Sequence, residues 1–78
     1  MPVVLRVGRF RFVIYLRDHA PAHVHVFAED AEAKFDVGTG RCLASKGFAE
    51  HTVRQLEKIV KQNTDLLREA WKDYEGED

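Results

Sequence analysis

The hydrophobic period of the chain changes once, near residue 47, and this change constrains the fold more than any other feature. Before it, apolar and polar residues alternate, which is the period-two pattern of half-buried strands. After it, apolar residues recur at steps of three and four, which is the pattern of an amphipathic helix. The sequence therefore predicts an α+β fold, in which an antiparallel sheet of four or five strands precedes two C-terminal helices packed on one face.

The first part of the chain contains four predicted strands and one weaker candidate. They cover residues 3–7, 10–16, 23–28 and 31–37, with residues 41–44 as the fifth candidate. Gly8-Arg9 and Glu29-Asp30 have the composition of tight hairpin turns. Alternation leaves one face of the first hairpin apolar, and the other face carries Arg6, Arg11, Val13, Tyr15 and Arg17. Ser45 to Gly47 is interpreted as the entry to the helical part.

The helical part is predicted to contain two helices rather than one. A single helix over residues 48–75 would be about 40 Å long, which exceeds what so small a domain can cover. A break is expected at Asn63-Thr64, and either residue is a suitable N-cap for the second helix. The apolar face of that helix is predicted to consist of Leu66, Leu67, Ala70 and Trp71. Trp71 is interpreted as a core or interface anchor, and in a plain interaction protein the stripe would dock the partner through Trp71 and Tyr74.

The length of 78 residues allows one domain, with a sheet part over 1–44 and a helical part over 48–75. The single cysteine, Cys42, cannot form an internal disulfide, which suits a reducing compartment. No apolar run approaches the roughly 18 residues of a membrane span. A cytoplasmic location without membrane contact is therefore expected, and so small a domain is expected to gain stability from a metal, a partner or a second copy of itself.

Three of the four histidines lie within seven residues, in the stretch from Asp18 to His25. His23 and His25 are two apart on a predicted strand, so their side chains leave the same face. Neutral imidazole is a common transition-metal ligand. His19, His23 and His25, with Asp18 as a ligand or an acceptor for a ligand, are therefore a candidate site for zinc or nickel. The alternative is that the rings are partly buried and bond to loop carbonyls.

A second hypothesis assigns the same sheet face to RNA. Arginines contact phosphates and aromatic rings stack on bases, as in single-strand recognition. The candidate RNA-binding residues are Arg6, Arg11, Tyr15 and Arg17. If the protein were a metal-independent ribonuclease, the catalytic candidates would be His23, His25, Arg11 and Tyr15, with an acid such as Glu32. The sequence pI near 6.4 is lower than is usual for a dedicated nucleic-acid binder.

Five segments of the chain carry a resemblance to known proteins, namely Pro2 to Arg6, Asp18 to Val26, Glu32 to Phe35, Lys46 to Phe48 and Leu66 to Trp71. Together these segments resemble a bacterial family catalogued as domain of unknown function 4160. The family shows a motif similar to His-Pro-Pro-His-x-His, and here Ala20 and Ala22 flank a single proline. Ala49 stands where a capping serine is usual, so a weaker cap is expected on the first helix.

The resemblance implies a short sheet with two C-terminal helices, and it implies no established activity. It also implies a gene arrangement similar to a toxin-antitoxin pair, beside a second small family catalogued as 2442. His19, His23 and His25 correspond to the motif histidines of the family. We therefore expect a small bacterial binding protein of such a pair, with a histidine-bearing sheet face that binds a divalent metal or, alternatively, RNA, and with a small protein partner encoded nearby.

Overall fold

The computed structural model describes residues 2–15 and 19–75, and it forms a five-stranded sheet followed by two helices. The strands are β1 (Val3–Val7), β2 (Phe10–Val13), β3 (His23–Ala28), β4 (Ala31–Asp36) and β5 (Cys42–Lys46). The helices are α1 (Glu50–Gln62) and α2 (Thr64–Glu75). The strands are antiparallel and lie side by side in chain order. The predicted α+β class is confirmed, and the fifth strand is present.

Two turns fix the register of the sheet. Gly8 closes the β1–β2 hairpin with a φ of 56°, a left-handed conformation that glycine adopts without steric cost. Glu29 adopts a similar φ of 55° in the β3–β4 turn. The two turns lie at the same end of the sheet, since Arg9 donates to the Glu29 carboxylate at 2.8 Å. Both side chains of this pair are exposed, so it contributes at most about 1 kcal/mol.

The second, fourth and fifth strands differ from the prediction at their ends. β4 stops at Asp36, one residue earlier than predicted. β2 stops at Val13, although the Ile14 N–H still donates a hydrogen bond to the carbonyl of Pro2, the residue before β1. β5 continues to Lys46, so the assignment of Ser45 and Lys46 to the helix entry is wrong. These residues lack an alternating apolar pattern, and their conformation comes from pairing with β4, where Ser45 lies opposite Ala33.

The core lies between one face of the sheet and both helices. Strand residues at alternate positions meet the helix stripe, and the fully buried members include Phe12, Val26, Phe35, Leu56 and Leu67. Leu5 and Val7 pack against this cluster, as the alternation predicts. Burial of each large apolar side chain contributes about 1.5–3 kcal/mol. Trp71 is 6% exposed and belongs to the core, as expected.

The break between the helices occurs where the sequence places it, at Asn63 and Thr64. Neither side chain caps α2, however. The Asn63 amide donates to the Ile59 carbonyl at 2.8 Å, and the Thr64 hydroxyl donates to the Lys61 carbonyl at 2.9 Å. Both side chains therefore satisfy carbonyl groups at the end of α1. Leu66, which was assigned to the apolar face of α2, is instead 44% exposed.

Each outermost strand carries an irregularity. The β1–β2 pairing skips one residue between Val3 and Leu5, and the β4–β5 pairing shifts between Lys34 and Phe35. Such bulges leave one residue without a partner and bend the strand. The first helix, α1, begins at Glu50, and its N-cap residue Ala49 provides no side-chain hydrogen bond, as expected. Within the described ranges, neither helix has the length and apolar character that crossing a bilayer requires.

Candidate functional site

The sheet face opposite the helices, called the outer face below, carries most of the predicted site residues. Strand pairing arranges its side chains in rows that run across the strands. One row passes from Arg6 through Arg11 and Phe27 to Glu32 and Lys46. The next row passes from Val13 through His25 and Lys34 to Ala44. The outer face is therefore mixed, with rings near its centre and cations on both flanks.

Three aromatic side chains on the outer face form a continuous group, the ring row, which consists of Tyr15, His25 and Phe27. The rings of Tyr15 and His25 meet edge to face, with centroids 4.7 Å apart. The rings of His25 and Phe27 are nearly parallel, at 13°, with centroids 6.4 Å apart. Both distances lie in the range of attractive ring contacts. All three residues are partly exposed, so a ligand can reach them.

His23 lies next to the ring row, between His25 and Trp71 of α2, but its side chain is buried. Its ring lies 5.3 Å from the ring of His25 and 5.1 Å from the ring of Trp71, and the residue is only 7% exposed. Its Nδ1 atom lies 2.8 Å from the Pro21 carbonyl oxygen. Because a carbonyl only accepts, Nδ1 carries the proton and donates it. For this ring, the alternative of a partly buried histidine bonded to a loop carbonyl is confirmed.

The histidines were also predicted as metal ligands. His19 is exposed, and its ring lies 6.2 Å from the ring of His23 at a steep angle. Among residues 2–15 and 19–75, no three His, Cys, Asp or Glu side chains converge in a way that could hold a metal ion. Asp18 lies outside the described residues. The metal site formed by the three histidines and Asp18 therefore stays a prediction. In the described part of the chain, the His25 ring lies against the rings of His23, Tyr15 and Phe27.

Arg6 and Arg11 lie directly opposite each other on β1 and β2. Like charges in this cross-strand position repel each other and destabilise the pair of strands. No carboxylate among the described residues forms an ion pair with either guanidinium. The two arginines are thus a local concentration of positive charge beside Phe27, which a bound anion would stabilise. Arg17, the third predicted arginine, lies outside the described residues.

A depression of about 260 Å³ lies on the other side of the ring row, between β3, β4 and β5. His25, Glu32, Lys34 and Lys46 line it, and the small side chain of Ala44 leaves its floor open. Lys34 and Lys46 were not among the predicted site residues. Lys34 alternates in β4 with the buried residues Ala33 and Phe35, which places it on the outer face. Lys46 belongs to the sheet only because β5 is longer than predicted.

The predicted catalytic set is partly brought together. Tyr15 and His25 are in ring contact, and Arg11 lies in the adjacent row of the outer face. His23, by contrast, is buried against Trp71 and is poorly placed to meet a substrate. No acid, base or nucleophile is thereby identified, and a catalytic role for these residues stays a prediction.

Cys42 lies away from the outer face, at the start of β5. Its backbone N–H donates to the Glu57 carboxylate of α1 at 2.8 Å, which ties the fifth strand to the first helix. Burial raises the pKa of the Cys42 thiol, and the negative charge of Glu57 raises this pKa further. Since the thiolate is the reactive form, a raised pKa argues against nucleophilic chemistry at this residue.

The fold and the outer face together define a small α+β domain with a five-stranded meander backed by two helices and a ring-bearing surface on the opposite side. A family model, described as Domain of unknown function (DUF4160), matches residues 9–72 of the 78 residues. The chain belongs to this family. A search of curated proteins and a search of solved structures each found no match.

Proposed function

We propose that the protein binds single-stranded RNA on its outer face. The observation that carries the proposal is the ring row of Tyr15, His25 and Phe27 lying beside Arg6 and Arg11, two cations that no described carboxylate neutralises. Aromatic rings stack on unpaired bases, and guanidinium groups contact the phosphates that link them. A sheet face that offers both can hold a strand whose bases are turned toward the protein.

The arrangement favours a single strand over a duplex. Rings can stack only on bases that are themselves unstacked, and a duplex presents its phosphates rather than its base faces. Each stacked base contributes about 1–3 kcal/mol, so two or three bases over the ring row give useful affinity without a strongly basic surface. This agrees with a net charge of −1, because few phosphate contacts are needed. Lys34 and Lys46, on the far side of the ring row, give the strand a second cationic flank.

The proposal is tested by fluorescence anisotropy with a labelled single-stranded RNA of mixed sequence at about 50 mM salt. If Arg6 and Arg11 each contact one phosphate, the two arginines together contribute about −1.4 to the slope of the logarithm of the affinity against the logarithm of the salt concentration. Arg11→Ala should reduce this slope by about 0.7. Lys72→Ala is the matched control, because Lys72 is an exposed cation on α2, away from the outer face.

The rings are tested separately with Phe27→Leu, which keeps an apolar side chain but removes the ring. Loss of one stacked base should weaken the binding free energy by about 1–3 kcal/mol, and the slope of the affinity with salt concentration should not change. A duplex of the same sequence and a DNA strand of the same length serve as competitors. Failure of the wild-type protein to bind RNA at low salt, or equal affinities for wild type, Arg11→Ala and Phe27→Leu, would refute the proposal.

A further inference from the structure

A second charged surface lies on the helix side of the molecule and is separate from the outer face. The β4–β5 turn and one side of α1 enclose a depression of about 280 Å³, called the basic cleft below. Its lining includes the four cations Arg41, Arg54, Lys58 and Lys61, and one carboxylate, that of Glu57. A chain with a net charge of −1 thus gathers a third of its twelve lysines and arginines around one small concavity.

The charges in the basic cleft are largely uncompensated. Among the described residues, no carboxylate pairs with Arg41, Lys58 or Lys61, and Arg54 has only an exposed ion pair with Glu50 at 3.3 Å. Such an exposed pair one helical turn apart contributes about 0.3–0.5 kcal/mol and is readily exchanged for another anion. The Glu57 carboxylate accepts the Cys42 N–H, and among the described residues it forms no ion pair with these cations. Its negative charge still offsets one of the four positive charges, which leaves the lining with a net positive charge.

The position of the cleft is fixed by the backbone. Gly40 has a φ of 79°, and a Cβ atom at this residue would lie 3.2 Å from the Glu57 carbonyl oxygen. The turn therefore lies directly against α1, which holds Arg41 beside the helix. Along α1, Arg54, Lys58 and Lys61 recur at steps of four and three, so they project from one face of the helix. The cations are thus presented by two rigid elements.

We propose that the basic cleft binds an acidic segment of a protein partner. No aromatic ring lines the cleft, so in contrast to the outer face it offers nothing on which a base can stack. Its helical row presents a cation about every 5–6 Å, which matches carboxylates three or four residues apart on a partner helix. The first turns of both helices carry acids, Glu50 on α1 and Asp65 on α2, which would repel a polyanion that extends beyond the cleft. A short acidic segment avoids that repulsion.

The experiment uses the full-length protein and a labelled peptide of glutamate and alanine residues in which glutamates are three and four residues apart. Binding is measured by fluorescence anisotropy at low salt. Arg41→Glu/Lys58→Glu should lower the affinity about tenfold or more, because two favourable charge contacts become repulsive. Lys72→Glu on α2 is a single charge reversal outside the cleft, and its partner for comparison is Lys58→Glu alone, which changes the net charge equally. Lys58→Glu should lower the affinity, whereas Lys72→Glu should leave it nearly unchanged.

Two further measurements separate this proposal from the proposed function. RNA binding by the double variant should remain as in wild type, since neither substituted residue lies on the outer face, and circular dichroism should show that the variant is folded. Absence of peptide binding by wild type, or equal losses in Lys72→Glu and Lys58→Glu, would overturn the proposal. Displacement of the peptide from the wild-type protein by single-stranded RNA, together with weaker RNA binding by Arg41→Glu/Lys58→Glu, would instead assign the cleft to nucleic acid.

Discussion

Substitution of Gly40 by alanine tests a close approach in the fold, between the β4–β5 turn and α1. Gly40 is buried and has a φ of 79°. An alanine there incurs about 1–2 kcal/mol for the left-handed backbone. Its Cβ would also lie 3.2 Å from both the Glu57 carbonyl oxygen and the Lys61 Cβ, atoms that move only if the helix moves. Such overpacking adds about 1–3 kcal/mol. Gly40→Ala should therefore lower the free energy of unfolding by about 2–5 kcal/mol.

The matched control for this prediction is Gly8→Ala. Gly8 has a similar backbone conformation, with a φ of 56°, but a Cβ built on it meets no atom within 4 Å. It should therefore show only the backbone cost of about 1–2 kcal/mol. Urea unfolding followed by circular dichroism gives both values, provided that the slope with denaturant is unchanged. Equal losses of stability in the two variants would refute the close contact between the turn and α1.

Three further outcomes are expected. Glu57→Ala should lower the free energy of unfolding by about 1.5–3 kcal/mol in urea titrations, because the half-buried Cys42 N–H loses a charged acceptor. Glu57→Gln keeps an acceptor oxygen and should recover part of this loss. The Cys42 thiol, whose pKa is raised by burial, should react with iodoacetamide near pH 8 more slowly than in the urea-unfolded chain, and equal rates would contradict the raised pKa. If the predicted set of His19, His23, His25 and Asp18 binds zinc or nickel, the melting temperature should rise with metal concentration, and an unchanged melting temperature would contradict this site.

Much of the fold could be predicted because local pattern and tertiary packing agree. The alternation of apolar and polar residues around Phe35 predicts β4, and the apolar stripe that contains Leu56 and Leu67 predicts the two helices. β5 was underestimated because Ala44, Ser45 and Lys46 show no apolar alternation, and their strand conformation depends on pairing with a distant segment. Leu66 was misassigned because apolar type alone does not determine which side of a helix meets the sheet.

The functional surfaces were predictable to different extents. The spacing of His23 and His25 predicts that their side chains lie close together on one face of a strand. It does not predict where the ring nitrogens point, and the hydrogen bond of His23 to the Pro21 carbonyl is seen only in the structure. The sequence does not predict the basic cleft, because Arg41 is distant from α1 along the chain and lies beside this helix only in the folded protein. The spacing of Arg54, Lys58 and Lys61 was the available signal, since steps of four and three place them on one side of a helix.

The bulges at Val3–Leu5 and Lys34–Phe35 have a consequence for how copies of this protein meet in a crowded solution. A foreign strand that docks along the flank of a sheet needs an uninterrupted series of outward N–H and C=O groups, and an extra residue breaks that series. Both flanks of this meander are interrupted in that way. Lateral growth into fibrils is therefore opposed at each end of the sheet by the backbone itself, even though Leu43, at one of the two interruptions, is half exposed.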